Sequence, residues 1–234
     1  WSSDVCSSDL YLMAVLPLYH MIALPGAKIW LRSTTYQEQT GKSAVLGDKV
    51  TILFQKEQQE RQELTGESFY SVGASAQVTE VDAQNGLVTL QVFSRVNVEE
   101  AAVLPGKSIS VTLSRRPDTA DLFEDFAEEK TRELKSRVLD FAAGSQWESW
   151  MRSFAAYWEN LWTMAGALSP WMHYEETDFF ALLEEDSQHK RFEALARMMR
   201  EGLEIADVQA AAASAQKEDH EKLYREATLK KQIA

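Results

Sequence analysis

Residues 69–93 read FYSVGASAQVTEVDAQNGLVTLQVF, and this stretch decides the fold of the first half of the chain. Small apolar residues occupy every second position from Val72 to Val78, the pattern of a strand with one buried face. Asn85-Gly86 separates this run from a second strand-like run, residues 87–93. Asn-Gly between two such runs is a strong hairpin signal, because a two-residue turn needs positive φ at both positions. The sequence therefore predicts an antiparallel hairpin.

Shorter strand signals lie on both sides of this hairpin. The run from Val15 to Leu24 predicts a strand that ends in the turn Pro25-Gly26 and resumes at residues 28–31. Other predicted strands are residues 50–54, 96–98 and 109–113, with a polar loop over 55–66. Several short strands joined by turns predict a small antiparallel β barrel or sandwich.

Apolar residues recur at helical spacing after Pro117. A first helix is predicted from Thr119, with Gly144 as its left-handed cap. Ser145 to Glu148 has the spacing of a capping box and predicts a second helix that runs to Gly166. The fold class is therefore α+β, a β half followed by a helical bundle.

The remaining helices are a short one and a long one. Residues 179–183 predict the short helix, and Ser169-Pro170 separates it from the helix before. Asp186 or Ser187 is expected to cap the long helix. Its apolar stripe thins after Gln209 to alanines and charges, which is typical of a solvated helical arm.

Composition and charge exclude several classes of protein. Hydrophobic residues make up 45% of the chain, enough for a core, but no apolar run approaches the roughly 18 residues of a membrane span. The net charge is −12, which argues against a nucleic-acid partner because phosphate binding needs a basic face. Residues 11–118 carry 10 basic and 11 acidic side chains, whereas residues 119–234 carry 14 and 23. The β half is nearly neutral and the helical half is strongly acidic.

The first ten residues, WSSDVCSSDL, differ in character from the rest. They lack the basic start and apolar centre of a secretory signal, and they resemble the translation of a sequencing-library adapter. We therefore exclude residues 1–10 from fold reasoning, and with them Cys6, the sole cysteine. The chain is expected to be an internal part of a longer protein.

Motifs for catalysis and metal binding are missing or incomplete. Gly41-Lys42-Ser43 and Gly106-Lys107-Ser108 match the end of a phosphate-binding loop, but the earlier glycine is replaced by Tyr36 and Ala101. No two of the four histidines have zinc-ligand spacing on one helix. The sequence therefore predicts no catalytic residue, no bound cofactor and no metal.

Tryptophans are concentrated in the second predicted helix, at positions 147, 150, 158 and 162. Aromatic residues at helical spacing most often form core, because they bury large areas. More aromatic residues are present than one stripe can hold. Trp162 and Tyr157 are therefore candidates for an exposed apolar contact surface.

Residues 16–26, LPLYHMIALPG, resemble the opening strand of the N-terminal domain of Lon, the ATP-dependent serine protease family. Further similar segments follow in the order of that family: residues 69–73 (FYSVG), 86–98, 168–170 (LSP), 182–204 and 223–231. The resemblance extends over residues 11–234. Tyr19-His20 and residues 30–32 depart from the family pattern, and the helix expected around 36–47 is weak because Gly41 and Gly47 interrupt it.

The resemblance implies three parts: a β domain over 11–117, a helical bundle over 118–208, and the start of a helical arm over 209–234. It implies a non-catalytic region that captures unfolded or tagged proteins and helps to assemble a homo-hexamer in the cytoplasm. ATP, Mg²⁺ and the peptidase site would belong to domains beyond Ala234. A free-standing Lon-domain adaptor without ATPase or peptidase is the alternative.

Three residues of the β half are candidates for contact with an unfolded client: Trp30, Phe54 and Tyr70. Each also has a core interpretation, which is favoured because large apolar side chains are usually buried. Since the β half is nearly neutral, capture by these residues is expected to depend little on salt.

Overall fold

The strand-forming residues of the first half build one six-stranded sheet. The computed structural model describes residues 14–104 and 108–233. The strands are β1 (Ala14–Leu18), β2 (Lys28–Arg32), β3 (Lys49–Gln55), β4 (Phe69–Asp82), β5 (Leu87–Val103) and β6 (Ile109–Arg116). Their order is β1-β3-β4-β5-β2, and β6 also pairs with β5. The α+β class is confirmed, although β1 and β3 run parallel, so the sheet is mixed rather than wholly antiparallel.

The hairpin predicted from Asn85-Gly86 is confirmed as β4 and β5, but its turn differs from the prediction. Asp82 and Leu87 form the last pair, so residues 83–86 make a four-residue loop in which Gly86 alone has positive φ. The Asp82 carboxylate accepts hydrogen bonds from the backbone N–H groups of Gln84 and Asn85, both 3.0 Å. This side-chain turn replaces the two-residue turn.

The first strand is shorter than predicted, and a helix follows β2. β1 ends at Leu18, and His20 adopts a left-handed conformation with φ of 51°. Residues 21–24 therefore leave the sheet, although Ile22 to Leu24 stay buried. Helix α1 (Ser33–Thr40) ends at Gly41, whose φ of 74° lets the chain reverse.

The helical half contains five helices among the described residues: α2 (Glu124–Ala142), α3 (Glu148–Ala155), α4 (Leu161–Leu168), α5 (Glu176–Glu184) and α6 (Gln188–Ile233). The first of them starts five residues later than predicted. The backbone of Thr119 is instead extended and bonded to Asp186 and Gln188 in an isolated bridge. Ser187 caps α6 as predicted, because its hydroxyl accepts a hydrogen bond from the N–H of Lys190.

The helix predicted from Trp147 to Gly166 is two helices. The Asn160 side chain caps α4 by accepting a hydrogen bond from the N–H of Thr163 at 2.8 Å. The same side chain donates to the carbonyl oxygen of Gly26 at 3.0 Å, which ties the break to the β half. Ser145 and Glu148 do not form the predicted box, since Glu148 accepts from Gly144 instead of Ser145.

One hydrophobic core joins the two halves. It contains sheet residues such as Leu16, Ile52 and Leu90, and helix residues such as Leu161 and Phe192, all at or near zero exposure. Helix α4 lies close to the sheet because Gly166 has no side chain. A Cβ at Gly166 would lie 2.9 Å from the carbonyl oxygen of Ile22 and 3.3 Å from the side chain of Ile29. Gly166 thus lies within α4 and does not break it, contrary to the prediction.

An arginine–aspartate cluster at the junction adds charged contacts to this core. Arg191 of α6 makes two parallel hydrogen bonds to Asp118, at 2.6 and 3.0 Å, and Arg95 of β5 bonds the same carboxylate. Asp186 accepts from Arg95 and from Arg116, both at 2.8 Å. Arg95 and Arg191 are almost completely buried. The cluster therefore links β5, the connecting segment and α6.

Candidate binding surfaces

The three predicted contact residues lie in three different environments. Phe54 is 1% exposed and its ring packs edge-on against Phe179 at 5.5 Å, so it is a core residue. Tyr70 is nearly buried, but its ring lines an open groove. Trp30 is half-buried at the edge of an exposed aromatic surface. A binding role for these three residues stays a prediction.

The aromatic patch, as we name this surface, consists of Trp30, Trp150, Phe154, Tyr157 and Trp171. The rings are in contact throughout. Phe154 stacks on Trp150 at 5.0 Å and contacts Trp30 at 5.7 Å. Trp171 meets Trp150 edge-on at 6.0 Å, and Tyr157 meets Trp30 at 6.5 Å. The patch thus brings together residues from four elements: β2, α3, the turn after α3 and the 3₁₀ turn at Ser169–Trp171.

Much of the patch faces solvent. Trp150, Tyr157 and Trp171 are 45, 63 and 65% exposed. Soluble proteins rarely leave contiguous large apolar side chains in water unless they bind a partner. Ion pairs lie at its border, Lys28 with Glu159 at 2.7 Å and Arg152 with Glu148 at 3.1 Å. An apolar centre with a polar rim is an arrangement that many protein–protein interfaces share.

The sequence identified part of this patch. Tyr157 is exposed as predicted, but Trp162 is buried beneath Gly26 and Arg191. The Arg191 guanidinium lies 5.8 Å from the centre of the Trp162 ring. Trp171 was missed because it follows a proline outside any helical stripe. Only the turn after α3 and the short α4 bring Trp171 beside Trp150.

A second surface is a groove of about 600 Å³ where β4 and β5 separate. β4 pairs with β5 only from Val72 onward, whereas its first residue, Phe69, pairs with Gln55 of β3. Beyond Asn97, β5 continues beside β6 alone. The 3₁₀ turn Gly66–Ser68 fills part of the gap. A Cβ at Gly66 would lie 2.1 Å from the carbonyl oxygen of Ala101, so only glycine allows this close approach.

The groove has an apolar floor and an acidic border. Tyr70 and Phe180 stack at 5.3 Å on the floor, and burial, then Glu176 and Tyr19, raise the pKa of Tyr70. The border carries Glu67, Glu99 and Glu100, with Lys56 as the one basic side chain among the lining residues. Tyr70 therefore stays neutral, and the groove is negatively charged at neutral pH.

The described residues contain no group of three or more His, Cys, Asp or Glu side chains that could hold a metal ion. Gly41-Lys42-Ser43 follows α1 as its C-terminal cap and starts no helix. Gly106 and Lys107 lie outside the described residues, as do residues 1–10. Within the described part of the chain, no helix has the length and apolar character needed to cross a membrane.

The fold and the two surfaces define an α+β domain with an exposed aromatic patch and an acidic groove. No protein-family model matches the chain, and no curated protein matches it. Among solved structures, the chain is similar to the N-terminal domain of Mycobacterium avium complex Lon protease, with 17% identity and a TM-score of 0.45 over 80% of this chain and 97% of that chain. It is also similar to a Lon N-terminal domain protein from Xanthomonas campestris, with 19% identity and a TM-score of 0.44 over 78% of this chain and 95% of that chain.

Proposed function

We propose that the chain is the non-catalytic region of a Lon-type ATP-dependent protease that recognises unfolded or tagged proteins and contributes to hexamer assembly. The aromatic patch is the observation that carries the recognition role. The ordered sequence resemblance over residues 11–234 supports the choice of family. In this proposal, catalysis, ATP and Mg²⁺ belong to other domains of the same protein. The Gly-Lys-Ser sequence at residues 41–43 caps a helix instead of starting one, so it does not have the geometry of a phosphate-binding loop.

The patch suits an unfolded client for two physical reasons. Exposed rings can bury apolar side chains of any sequence, and this burial stabilises the complex by roughly 25 cal/mol for each Å² of apolar surface removed from water. An unfolded client loses conformational entropy on binding, so each contact is weak and several copies of the domain together supply affinity. Weak, sequence-tolerant capture by an oligomer is the behaviour that a degradation machine needs.

The test is binding of a reduced and carboxymethylated protein, which stays unfolded, to the full chain. In the double variant Trp150→Ser, Trp171→Ser we expect binding at least about tenfold weaker, because two large contact rings are lost. The matched control is Phe123→Ser, Phe141→Ser, which removes two exposed aromatic rings outside the patch, one just before α2 and one in its last turn. Circular dichroism of both variants checks that they fold.

Equal loss of binding in the control and the patch variant would contradict the proposal, since any exposed ring would then serve. The same titration at low and high salt separates apolar capture from charge attraction. We expect little salt dependence, because the patch itself is uncharged.

A free-standing adaptor remains the second candidate, and it would use the same patch. The coding sequence that follows Ala234 distinguishes the two. A phosphate-binding loop and a Ser-Lys pair downstream support the protease, whereas an early stop codon supports the adaptor.

A further inference from the structure

The groove between β4 and β5 has a shape suited to an extended chain. Its walls are strand segments, residues 69–71 of β4 and 98–101 of β5, that no longer pair with each other. The groove, of about 600 Å³, has the volume of a few residues of an extended chain. Peptides that bind beside a strand commonly use both backbone hydrogen bonds and side-chain contacts. The stacked rings of Tyr70 and Phe180 form an apolar floor for one large side chain.

A β-bulge lies in the segment of β5 that contributes two carboxylates to this groove. Val98 pairs with Leu113 and Glu100 pairs with Thr112, which leaves Glu99 as the extra residue of β5. Glu99 and Glu100 both line the groove together with their neighbours Val98 and Ala101, so β5 borders the groove along four consecutive residues. Ser114 of β6 donates a hydrogen bond to the Glu99 carboxylate and so fixes its position.

The carboxylates outnumber the basic group. Glu67, Glu99 and Glu100 face a single ammonium, that of Lys56, which donates to the backbone carbonyl of Glu67 at 2.9 Å. The groove thus presents negative charge around an apolar floor. An acidic or neutral segment gains nothing from this border, whereas a basic one is attracted to it.

We propose that this groove binds an extended peptide segment in which an aromatic or large aliphatic residue is flanked by lysine or arginine. The apolar side chain lies on Tyr70 and Phe180, and the flanking cations lie beside Glu99 and Glu100. This inference deepens the proposed function, on which it rests for the identity of the segment as part of a client protein. The aromatic patch accepts apolar segments generally, and the groove selects basic ones among them.

The probe is a fluorescein-labelled nonapeptide of glycine and serine with Arg-Phe-Arg at its centre. Its Kd for the full chain is measured by fluorescence anisotropy at low salt. Matched peptides carry Glu-Phe-Glu or Arg-Ala-Arg at the centre. We expect the Arg-Phe-Arg peptide to bind most tightly, because it alone supplies both the ring and the cations. The variant Glu99→Gln, Glu100→Gln should weaken its binding about three- to tenfold, and added salt should do the same.

The control variant is Glu128→Gln, Glu129→Gln, two consecutive exposed glutamates on α2 that are remote in sequence from the groove. It removes the same net charge, and we expect no change in Kd beyond experimental error. Ser71→Trp fills the groove without altering charge and should abolish binding of the peptide. Circular dichroism confirms that each variant is folded.

Equal Kd values for the Arg-Phe-Arg and Glu-Phe-Glu peptides, or equal losses in the two glutamate variants, overturn the inference. Loss of peptide binding in the patch variant Trp150→Ser, Trp171→Ser alone places the peptide on the patch, so the groove inference fails and the proposed function stands. If the peptide binds with the expected charge dependence but the unfolded protein does not bind, the proposed function fails and the groove stands.

Discussion

At the scale of single residues, Asp118 holds the two halves together through charge. Its carboxylate accepts hydrogen bonds from Arg95 and Arg191, two buried guanidinium groups from different elements. Burial would raise the pKa of Asp118, but the hydrogen bonds from Arg191 and Arg95 and their positive charges outweigh it, and the pKa is lowered. Asp118 is therefore ionised in the folded protein at all ordinary pH values.

Replacing Asp118 by asparagine is expected to lower the free energy of unfolding by about 3–5 kcal/mol, because two buried cations lose their shared counter-charge. Urea unfolding at pH 7 measures the change. The control is Asp207→Asn, an exposed aspartate in the middle of α6, for which we expect less than about 0.5 kcal/mol. Similar small losses in both variants would show that the cluster contributes little.

The same prediction fixes the direction of the pH dependence. A carboxylate whose pKa is lower in the folded than in the unfolded state contributes its full stability above the unfolded value, and loses it as pH falls. We therefore expect the urea concentration at the unfolding midpoint of the unaltered chain to decrease as the pH is lowered below about 4, which is near the unfolded pKa of an aspartate. The Asp118→Asn variant should show a smaller drop over that range.

At the scale of elements, Gly166 determines how closely α4 approaches the sheet. Glycine inside a helix usually costs about 1 kcal/mol relative to alanine. At this position alanine would be worse than glycine, because a methyl group at Gly166 would lie 2.9 Å from the carbonyl oxygen of Ile22. The hydrogen bonds of Ile22 to Ser169 and of Lys28 to Thr163 show the same close contact on either side.

Two glycine-to-alanine substitutions in helices are therefore expected to have opposite effects. Gly166→Ala should destabilise the protein by about 1–3 kcal/mol through overpacking. Gly202→Ala in α6 should stabilise it by up to about 1 kcal/mol, because a methyl group there meets no atom within 4 Å. Thermal unfolding of both variants provides the comparison, and a shift of the same sign in each would contradict it.

At the scale of the whole molecule, one core extends from β1 to α6. The arginine–aspartate cluster and the Asn160 contact to Gly26 cross the same junction. A β half separated from the helices would expose Ile22, in the segment after β1, and Ile29 of β2, both of which α4 covers. The division into a β domain over 11–117 and a helical bundle over 118–208 stays a prediction.

We expect the described halves to unfold together in one transition, because they share this core. Tryptophan fluorescence reports mainly the helical half, which contains Trp147, Trp150, Trp158, Trp162 and Trp171. Far-ultraviolet circular dichroism reports both halves. Coincident midpoints in urea support a single unit, whereas two separate midpoints would show that the halves are independent.

Local signals in the sequence determined much of the secondary structure. The alternating runs on either side of Asn85-Gly86 determined the central hairpin, although Asp82 forms its turn. Ser187 before an apolar stripe determined the start of α6, because turns and caps depend on neighbouring residues. The break before α4 also has a local signal, Asn160 before an apolar run, which the tryptophan spacing obscured.

Only the tertiary structure decided the binding surfaces. Phe54 and Trp171 are both large apolar residues, yet one is in the core and the other is 65% exposed. Burial depends on which elements pack on each face, and no local pattern contains that information. The parallel pairing of β1 with β3, the separation of β4 from β5 and the bulge at Glu99 all require residues distant in sequence to meet, so the patch and the groove could not be predicted from the sequence alone.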